Sequence, residues 1–316
     1  MILITGASGF VGCYLGSRLE AEGRNVRCAV RNPSPIENAV VVDDLGPDTQ
    51  WNKALRDVNT VIHLAARVHV MRDTAADPLA EFRRVNVAGT LNLARQAVAA
   101  GAKRFIFIST VKVNGEETTL GRLFTSQDLP APQDAYGISK QEAEEGLRQL
   151  AEDTGLEVVI IRPPLVYGPG VKGNFRSMIR WINKGIPLPL GAIHNQRSLV
   201  GLDNLVDFII TCIDHPAAAN QTFLVSDGED LSTTDLLSRV GQAMGKPARL
   251  IPVPMSALKF GARLLGKQAL AQRLCGNLQV DISKARKVLG WSPPVSVDEG
   301  LRRAVASWRG SDGVKL

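Results

Sequence analysis

The sequence predicts an α/β fold, a doubly wound parallel sheet joined to a smaller, mostly helical C-terminal lobe. Three observations carry that expectation. Short apolar runs alternate with helical stretches through the first half of the chain, as in a parallel sheet covered on both faces. The first run, Ile2-Leu-Ile4, ends in a glycine-rich turn that opens a helix. Beyond Arg162-Pro-Pro164 the texture changes, first to proline and glycine and then to helical segments.

After the first strand, Val11, Leu15 and Leu19 recur at helical spacing, which predicts a helix packed on the sheet. Asn25–Val30, Ala39–Val42 and Thr60–Leu64 read as the second to fourth strands, and Asp77–Ala100 as helical. Arg104–Ser109 and Glu157–Ile161 continue the strands, separated by a helix over Tyr136–Thr154. Residues 163–197, with Pro163, Pro164, Pro169, Pro187 and Pro189, read as loops around a ligand. Thr222–Ser226 reads as one more strand, and the chain from about Asp227 as helical with proline-rich joints. With no repeat and no low-complexity linker, the lobes are expected to interleave. Residues 1–165 and about 199–226 then form the sheet domain, and 166–198 and 227–316 the smaller lobe. The basic, amphipathic stretch Met255–Lys267 is expected to pack one face on its own lobe rather than on a membrane surface.

Composition narrows the function classes. In 316 residues, 45% hydrophobic and 22% charged content suit a globular enzyme. A net charge of +6 suits anionic ligands, but the basic residues are spread out, with no block that argues for nucleic acid. Cys13, Cys28, Cys212 and Cys275 lie far apart, without metal-ligand spacing, and read as free thiols. No basic n-region precedes an apolar one, and no apolar run approaches the roughly 20 residues of a membrane span. A cytoplasmic protein without a membrane span is expected.

Two motifs carry chemistry. In Thr5-Gly-Ala-Ser-Gly-Phe-Val-Gly12, Gly6 permits a tight turn, Gly9 a close approach of backbone to a pyrophosphate, and Gly12 tight helix–sheet packing. The helix that follows offers N–H groups and a positive dipole end to phosphate. Tyr136-Gly-Ile-Ser-Lys140 places a phenol and an ammonium one helical turn apart, so that the cation can favour the phenolate. The second strand ends in Arg31 rather than an acid, which favours NADP(H) over NAD(H) while leaving NAD(H) open. Asp44-Leu45 is placed to meet an adenine, and the small residues of His63-Leu-Ala-Ala66 leave a cofactor room.

With these motifs in order, and with Ser109-Thr110, Arg162-Pro-Pro-Leu-Val-Tyr-Gly-Pro169, Arg197-Ser-Leu-Val-Gly-Leu-Asp-Asn204 and Asp281-Ile-Ser-Lys-Ala-Arg-Lys-Val-Leu-Gly-Trp291, the chain resembles an extended short-chain dehydrogenase/reductase of the nucleotide-sugar epimerase/dehydratase group. The resemblance spans nearly the whole chain and implies a Rossmann-type domain with a substrate lobe. It implies a catalytic trio: Thr110 to hold the sugar oxygen, Tyr136 to exchange its proton, and Lys140 to bind the nicotinamide ribose and lower the tyrosine pKa. It places the cofactor against Gly6, Ser8, Gly9, Phe10, Val11, Gly12, Arg31, Asp44, Leu45, Leu64, Ala65, Ala66, Ser109, Tyr136, Lys140 and Pro163. It places a UDP-sugar against Asn174 at the nucleotide, Arg197 at the diphosphate, and Arg273 as a second phosphate ligand. A homodimer through a four-helix interface is also implied.

The chain departs from the family pattern at Val113-Asn114-Gly115, where Val-Tyr-Gly is common. Lys112 stands close to the expected catalytic face, where it contacts substrate or lines the rim. Because Val111-Lys112, not Asp-Glu, follows Thr110, sugar dehydration is disfavoured. The run Gly173–Ile179 with Asn195–Leu205 is similar to bacterial reductases of UDP-4-keto-6-deoxy-N-acetylhexosamine. This resemblance favours NADPH-dependent C4 reduction to UDP-N-acetylquinovosamine or its C4 epimer in O-antigen synthesis. UDP-glucose or UDP-GlcNAc 4-epimerisation is the alternative. A non-catalytic NADP(H) sensor is a remote third reading, disfavoured by the intact trio.

Overall fold

The computed structural model describes residues 1–68 and 77–312. The residues 313–316 of the expected C-terminal lobe lie outside them. Seven strands, β1 (Ile2–Thr5), β2 (Val26–Val30), β3 (Ala39–Val41), β4 (Thr60–His63), β5 (Arg104–Ile108), β6 (Glu157–Arg162) and, after two that lie elsewhere, β9 (Gln221–Leu224), build the main sheet. Their order is β3-β2-β1-β4-β5-β6-β9, and every pairing is parallel. The seven expected strands are all present, in a Rossmann-type topology.

Alternation along these strands divides the core in two, because successive side chains leave opposite faces of a sheet. Ile2, Ile4, Ile62, Ile106, Val159 and Ile161 belong to one cluster. Leu3, Val61, Phe105, Phe107, Val158 and Ile160 belong to the other. Helices α1 (Phe10–Ala21) and α6 (Leu202–Asp214) cover the first face with Leu15, Leu19, Leu205 and Phe208. On the second face lie α3 (Thr90–Ala99), which follows the short α2 (Pro78–Phe82), and α4 (Ala135–Thr154). Asp77 caps α2 by accepting from the Ala80 N–H at 3.0 Å. A π-helical turn, Arg83–Gly89, joins α2 to α3. At Gly89 a Cβ would stand 2.9 Å from Leu45 Cγ and 3.0 Å from Gly46 N, so glycine lets the loop after β3 close against this helix.

The second lobe departs from expectation in two places. Residues 163–197, expected as loops, include β7 (Leu165–Tyr167), α5 (Gly173–Asn183) and the start of β8 (Arg197–Gly201). Strands β7 and β8 join β10 (Asp230–Leu231) in a three-stranded sheet of order β10-β8-β7, whereas α6 and β9 return to the main sheet. Helix α5 forms because Phe175, Ile179 and Ile182, spaced by four and three, bury one stripe against α7 (Thr233–Ala243) and α11 (Val297–Asp312). Helix α8 (Met255–Leu264) packs on the helix that follows it, as expected, with Met255, Leu258 and Ala262 half-buried, yet it buries no residue fully and leaves Phe260 and Leu264 in solvent. Its neighbour α9 (Gln268–Cys275) is anchored by buried Ala271 and Cys275, and α10 (Ser283–Leu289) packs Ala285 and Leu289 into the first core. Among the described residues no helix is long and apolar enough to cross a membrane, and no cluster could hold a metal ion.

Candidate active site

The parallel strands end on one edge, and their order reverses between β1 and β4. There the crossovers leave to opposite faces and open a crevice. Gly6 leaves β1 with φ +69°, and a Cβ on it would stand 2.8 Å from Ala65 N. A Cβ on Gly12 would stand 2.2 Å from the Gly6 carbonyl oxygen, so the turn closes on α1 with no room for a side chain. Gly9 is the N-cap of α1 and no side chain caps that end, which leaves its N–H groups facing outward for an anion. Ser8 and Gly9 are exposed, while Phe10, Val11, Leu64, Ala65 and Ala66 are partly so. This backbone cradle suits a dinucleotide pyrophosphate.

Arg31 follows β2 and Asp44 follows β3, and the two face each other at 3.4 Å. Both are mostly exposed, so the pair contributes little stability and leaves the guanidinium open to solvent at the end of β2. Below the edge, buried His63 closes a chain, its Nδ1 2.6 Å from Thr5 Oγ1 and its Nε2 2.9 Å from Thr90 Oγ1. Burial, and then the Lys140 charge, push the imidazole down to about 3 and keep it neutral. The chain ties β1, β4 and α3 together behind the crevice.

Thr110, Tyr136 and Lys140 converge on the same edge. Thr110 continues β5 in extended conformation, partly exposed, and its Oγ1 accepts from the Lys112 N–H at 3.3 Å. Asp134 caps α4 by accepting from the Gly137 N–H at 2.7 Å, which fixes Tyr136 in the first turn. The Tyr136 ring meets Phe82 edge-on at 6.2 Å. One turn on, Lys140 is 2% exposed, donates to the Ile108 carbonyl at 2.7 Å and lies over the Phe107 ring at 4.2 Å.

Their protonation differs from the sequence expectation. Burial, with the Asp134 carboxylate adding to it, holds the Tyr136 phenol above its ordinary range. Lys140 does not pull it down here. Burial itself draws Lys140 down to about 7, although the Glu144 carboxylate opposes the shift. Tyr136 is therefore a protonated donor, and its neighbour an ammonium that has lost much of its hydration.

Other candidates take places the sequence did not foresee. Ser109, expected beside a cofactor, donates to Glu144 Oε1 at 2.6 Å. Fully buried Glu144 also accepts from Arg162 Nε at 2.9 Å and from Arg148 at 2.7 Å. Arg162 donates in turn to Asn114 Oδ1 at 3.0 Å, so the Asn114 departure bolts the loop after Thr110 to β6. Pro163, buried behind β6, accepts at its carbonyl from the Val111 N–H at 3.0 Å. Lys112 is held by Glu116 at 3.0 Å and by Asp134, which makes it a rim residue neutralised on both sides. Asn86, missed from the sequence, sits buried in the π-helical turn, with its Nδ2 3.0 Å from both the Arg67 carbonyl and Ser139 Oγ. An Asn set between Val85 and Val87 was its signal, and an acid one turn beyond Lys140 was that of Glu144.

In the second lobe, Asn174 stands exposed in the first turn of α5 and Arg273 exposed on α9. Arg197 opens β8 and donates to the Gly276 carbonyl at 3.0 Å. Burial lowers its pKa, with Glu117 acting against the shift, and it forms no salt bridge among the described residues. A desolvated guanidinium with one carbonyl partner keeps most of its donors for an anion.

Sheet order and glycine turn together define a Rossmann-type protein of the nicotinamide-dinucleotide class. Residues 2–226 match the model of the NAD dependent epimerase/dehydratase family, and the chain belongs to that family. It is 49% identical over 311 residues to a UDP-glucose 4-epimerase of Vibrio cholerae, covering 97% of this chain and 95% of that protein. It is 28% identical to the N-acetyl-alpha-D-glucosaminyl-diphospho-ditrans,octacis-undecaprenol 4-epimerase of Escherichia coli O157:H7, covering 96% and 94% of the two chains. Among solved structures, MoeE5 in complex with UDP-glucuronic acid and NAD superposes with a TM-score of 0.78 at 25% identity, covering 98% of this chain and 99% of that one. The chain is thus a nucleotide-sugar epimerase/dehydratase-type enzyme that uses a nicotinamide dinucleotide.

Proposed function

We propose that the protein moves hydride and proton at C4 of a UDP-sugar, with 4-epimerisation as the net reaction. The convergence of Thr110, Tyr136 and Lys140 on the edge that carries the glycine turn supports the chemistry. The 4-epimerase name of the Vibrio cholerae relative supports the net reaction, as does that of the Escherichia coli relative. In this reading residues 1–165 with 199–226 hold the dinucleotide, and 166–198 with 227–316 hold the sugar nucleotide. The dinucleotide, when bound, supplies the hydride acceptor and donor. Thr110 Oγ1 holds the sugar O4, and Tyr136 exchanges the proton of that oxygen. Lys140 fixes the ribose and carries the charge that the phenol needs as its proton leaves.

Arg197 grips the diphosphate, with Arg273 as a second ligand and Asn174 on the nucleotide side. Replacement of Arg197 by Met is expected to raise KM for a UDP-sugar at least about tenfold, since a charge-assisted bond contributes about 1.5–3 kcal/mol. Steady-state kinetics should show kcat changed far less. The helices that pair across α3 and α4 are proposed as half of a four-helix homodimer interface.

A second reading rests on Arg31. A guanidinium at the end of β2, where an acid would meet the ribose hydroxyl, suits a 2′-phosphate. It favours NADPH and the reduction of a UDP-4-keto-6-deoxy-N-acetylhexosamine. One assay separates the two. Purified protein is given UDP-glucose or UDP-GlcNAc, and separately UDP-4-keto-6-deoxy-GlcNAc with NADPH or NADH, while sugar configuration and cofactor absorbance are followed. Inversion at C4 without net cofactor use is the expected result. Stoichiometric NADPH consumption without inversion, abolished by Arg31→Ser, would establish the reductase instead. Inertness toward all of these sugars would overturn both readings.

A further inference from the structure

We propose that the surface formed by α8, the turn after it and α9 is a docking face for an anionic lipid surface. Helix α8 buries none of its residues, although it packs on α9. Phe260 is 66% exposed, Leu264 72% and Leu265 72%, with Leu270 and Ile251 also in solvent. Phe260 and Leu264 stand one turn apart and Leu265 follows them, and contiguous apolar exposure of this kind marks an interaction surface.

Charge identifies the occupant. Between Asp235 and Asp281 the chain has no acidic residue, whereas Arg239, Lys246, Arg249, Lys259, Arg263, Lys267 and Arg273 fall within it, the last four on α8, α9 and the turn between them. The basic residues are spread along the sequence as a whole, yet Met255–Cys275 carries four cations and no acid. On α8, Phe260 and Leu264 lie one turn apart, beside Lys259 and Arg263 one turn apart. An apolar ridge flanked by cations suits the boundary between acyl chains and anionic headgroups, where lysine and arginine reach outward to the phosphates. A second copy docked through the same ridge would set cations against cations, since this segment carries no acid.

The face is held by the fold. Ala271 and Cys275 of α9 are buried, and Asn195 Nδ2 donates to the Leu274 carbonyl at 3.2 Å and to the Gly276 carbonyl at 2.8 Å. The Gly276 carbonyl also accepts from Arg197. Docking therefore sets the candidate diphosphate ligand beside the lipid surface, without any helix crossing it.

The test is flotation of the full-length protein with vesicles of phosphatidylcholine alone or with about a third phosphatidylglycerol. The wild type should float with the anionic vesicles, much less with the neutral ones, and progressively less as salt rises. Each basic side chain near such a surface strengthens binding about fivefold, so Lys259→Glu/Arg263→Glu/Lys267→Glu should weaken it by about a hundredfold or more. Phe260→Ser/Leu264→Ser/Leu265→Ser should also stop flotation, with circular dichroism and sugar turnover unchanged because α8 carries no core residue. Failure of the wild type to float, or equal flotation on neutral vesicles, would overturn the proposal. So would a serine variant that still floats but falls from dimer to monomer in light scattering, or one that still floats but has a raised sugar KM. Those results would give the patch to a second copy or to a substrate lid. Flotation needs no turnover, so it can fail independently of the proposed sugar chemistry.

Discussion

Replacing Tyr136 by Phe is expected to lower kcat by roughly two to four orders of magnitude, the usual contribution of a positioned proton donor. Cofactor affinity and thermal stability should change little. The phenylalanine ring keeps the edge contact with Phe82, and the cap from Asp134 to Gly137 does not involve the side chain at 136. Steady-state kinetics with UDP-sugar, together with cofactor binding followed by fluorescence, would check the separation. A variant that retains more than about a tenth of wild-type turnover would remove Tyr136 from the proton step. The size of the effect follows from the site's electrostatics. Burial and Asp134 keep the phenol protonated, and burial has brought Lys140 down to about 7. Neither group is poised alone. The phenol yields its proton only when a positive charge is fixed beside it, and Lys140, one turn away on the same helix, is the ammonium placed to provide that charge.

The main sheet was legible in the sequence because each strand is a short apolar run whose alternate residues enter two different cores, as Leu3 and Ile4 do. The glycine turn was legible for a related reason, since only glycine fits where a Cβ would strike the Gly6 carbonyl. Less was readable after Arg162. Proline and glycine masked α5, although the Phe175, Ile179 and Ile182 stripe was there to be counted. The small sheet rests on β7, β8 and β10, of three, five and two residues, too short for periodicity to declare. The amphipathic pattern of α8 predicts its packing on its own lobe, which α9 provides, but a pattern cannot say how much apolar surface is left over, and Phe260 and Leu264 remain in solvent. Glu144 and Asn86 were missed because a polar residue in a helix reads as solvated until the fold turns it inward.

Glu144→Gln is expected to destabilise the protein by about 3–5 kcal/mol, the cost of leaving a buried charge without its partner. Glu144 and Arg162 are 0% and 2% exposed, and the carboxylate also receives Ser109 and Arg148. A glutamine keeps the shape of the side chain but offers Arg162 no charge, and it turns one acceptor into a donor facing other donors. Replacing both members of the pair, Glu144→Gln with Arg162→Met, should cost less than the sum of the single changes, because no unpaired guanidinium then remains. Urea unfolding of the four proteins in this cycle measures the coupling directly, and additive effects would show that the pair does not act as a unit. The consequence reaches the site. Ser109 precedes Thr110, Asn114 closes the loop after it, and Glu144 lies one turn beyond Lys140. The cluster clamps β5, β6 and α4 at the height of the trio. In any glutamine variant that still folds, sugar turnover should fall more than cofactor affinity does, since the glycine turn lies on β1 and shares none of these bonds.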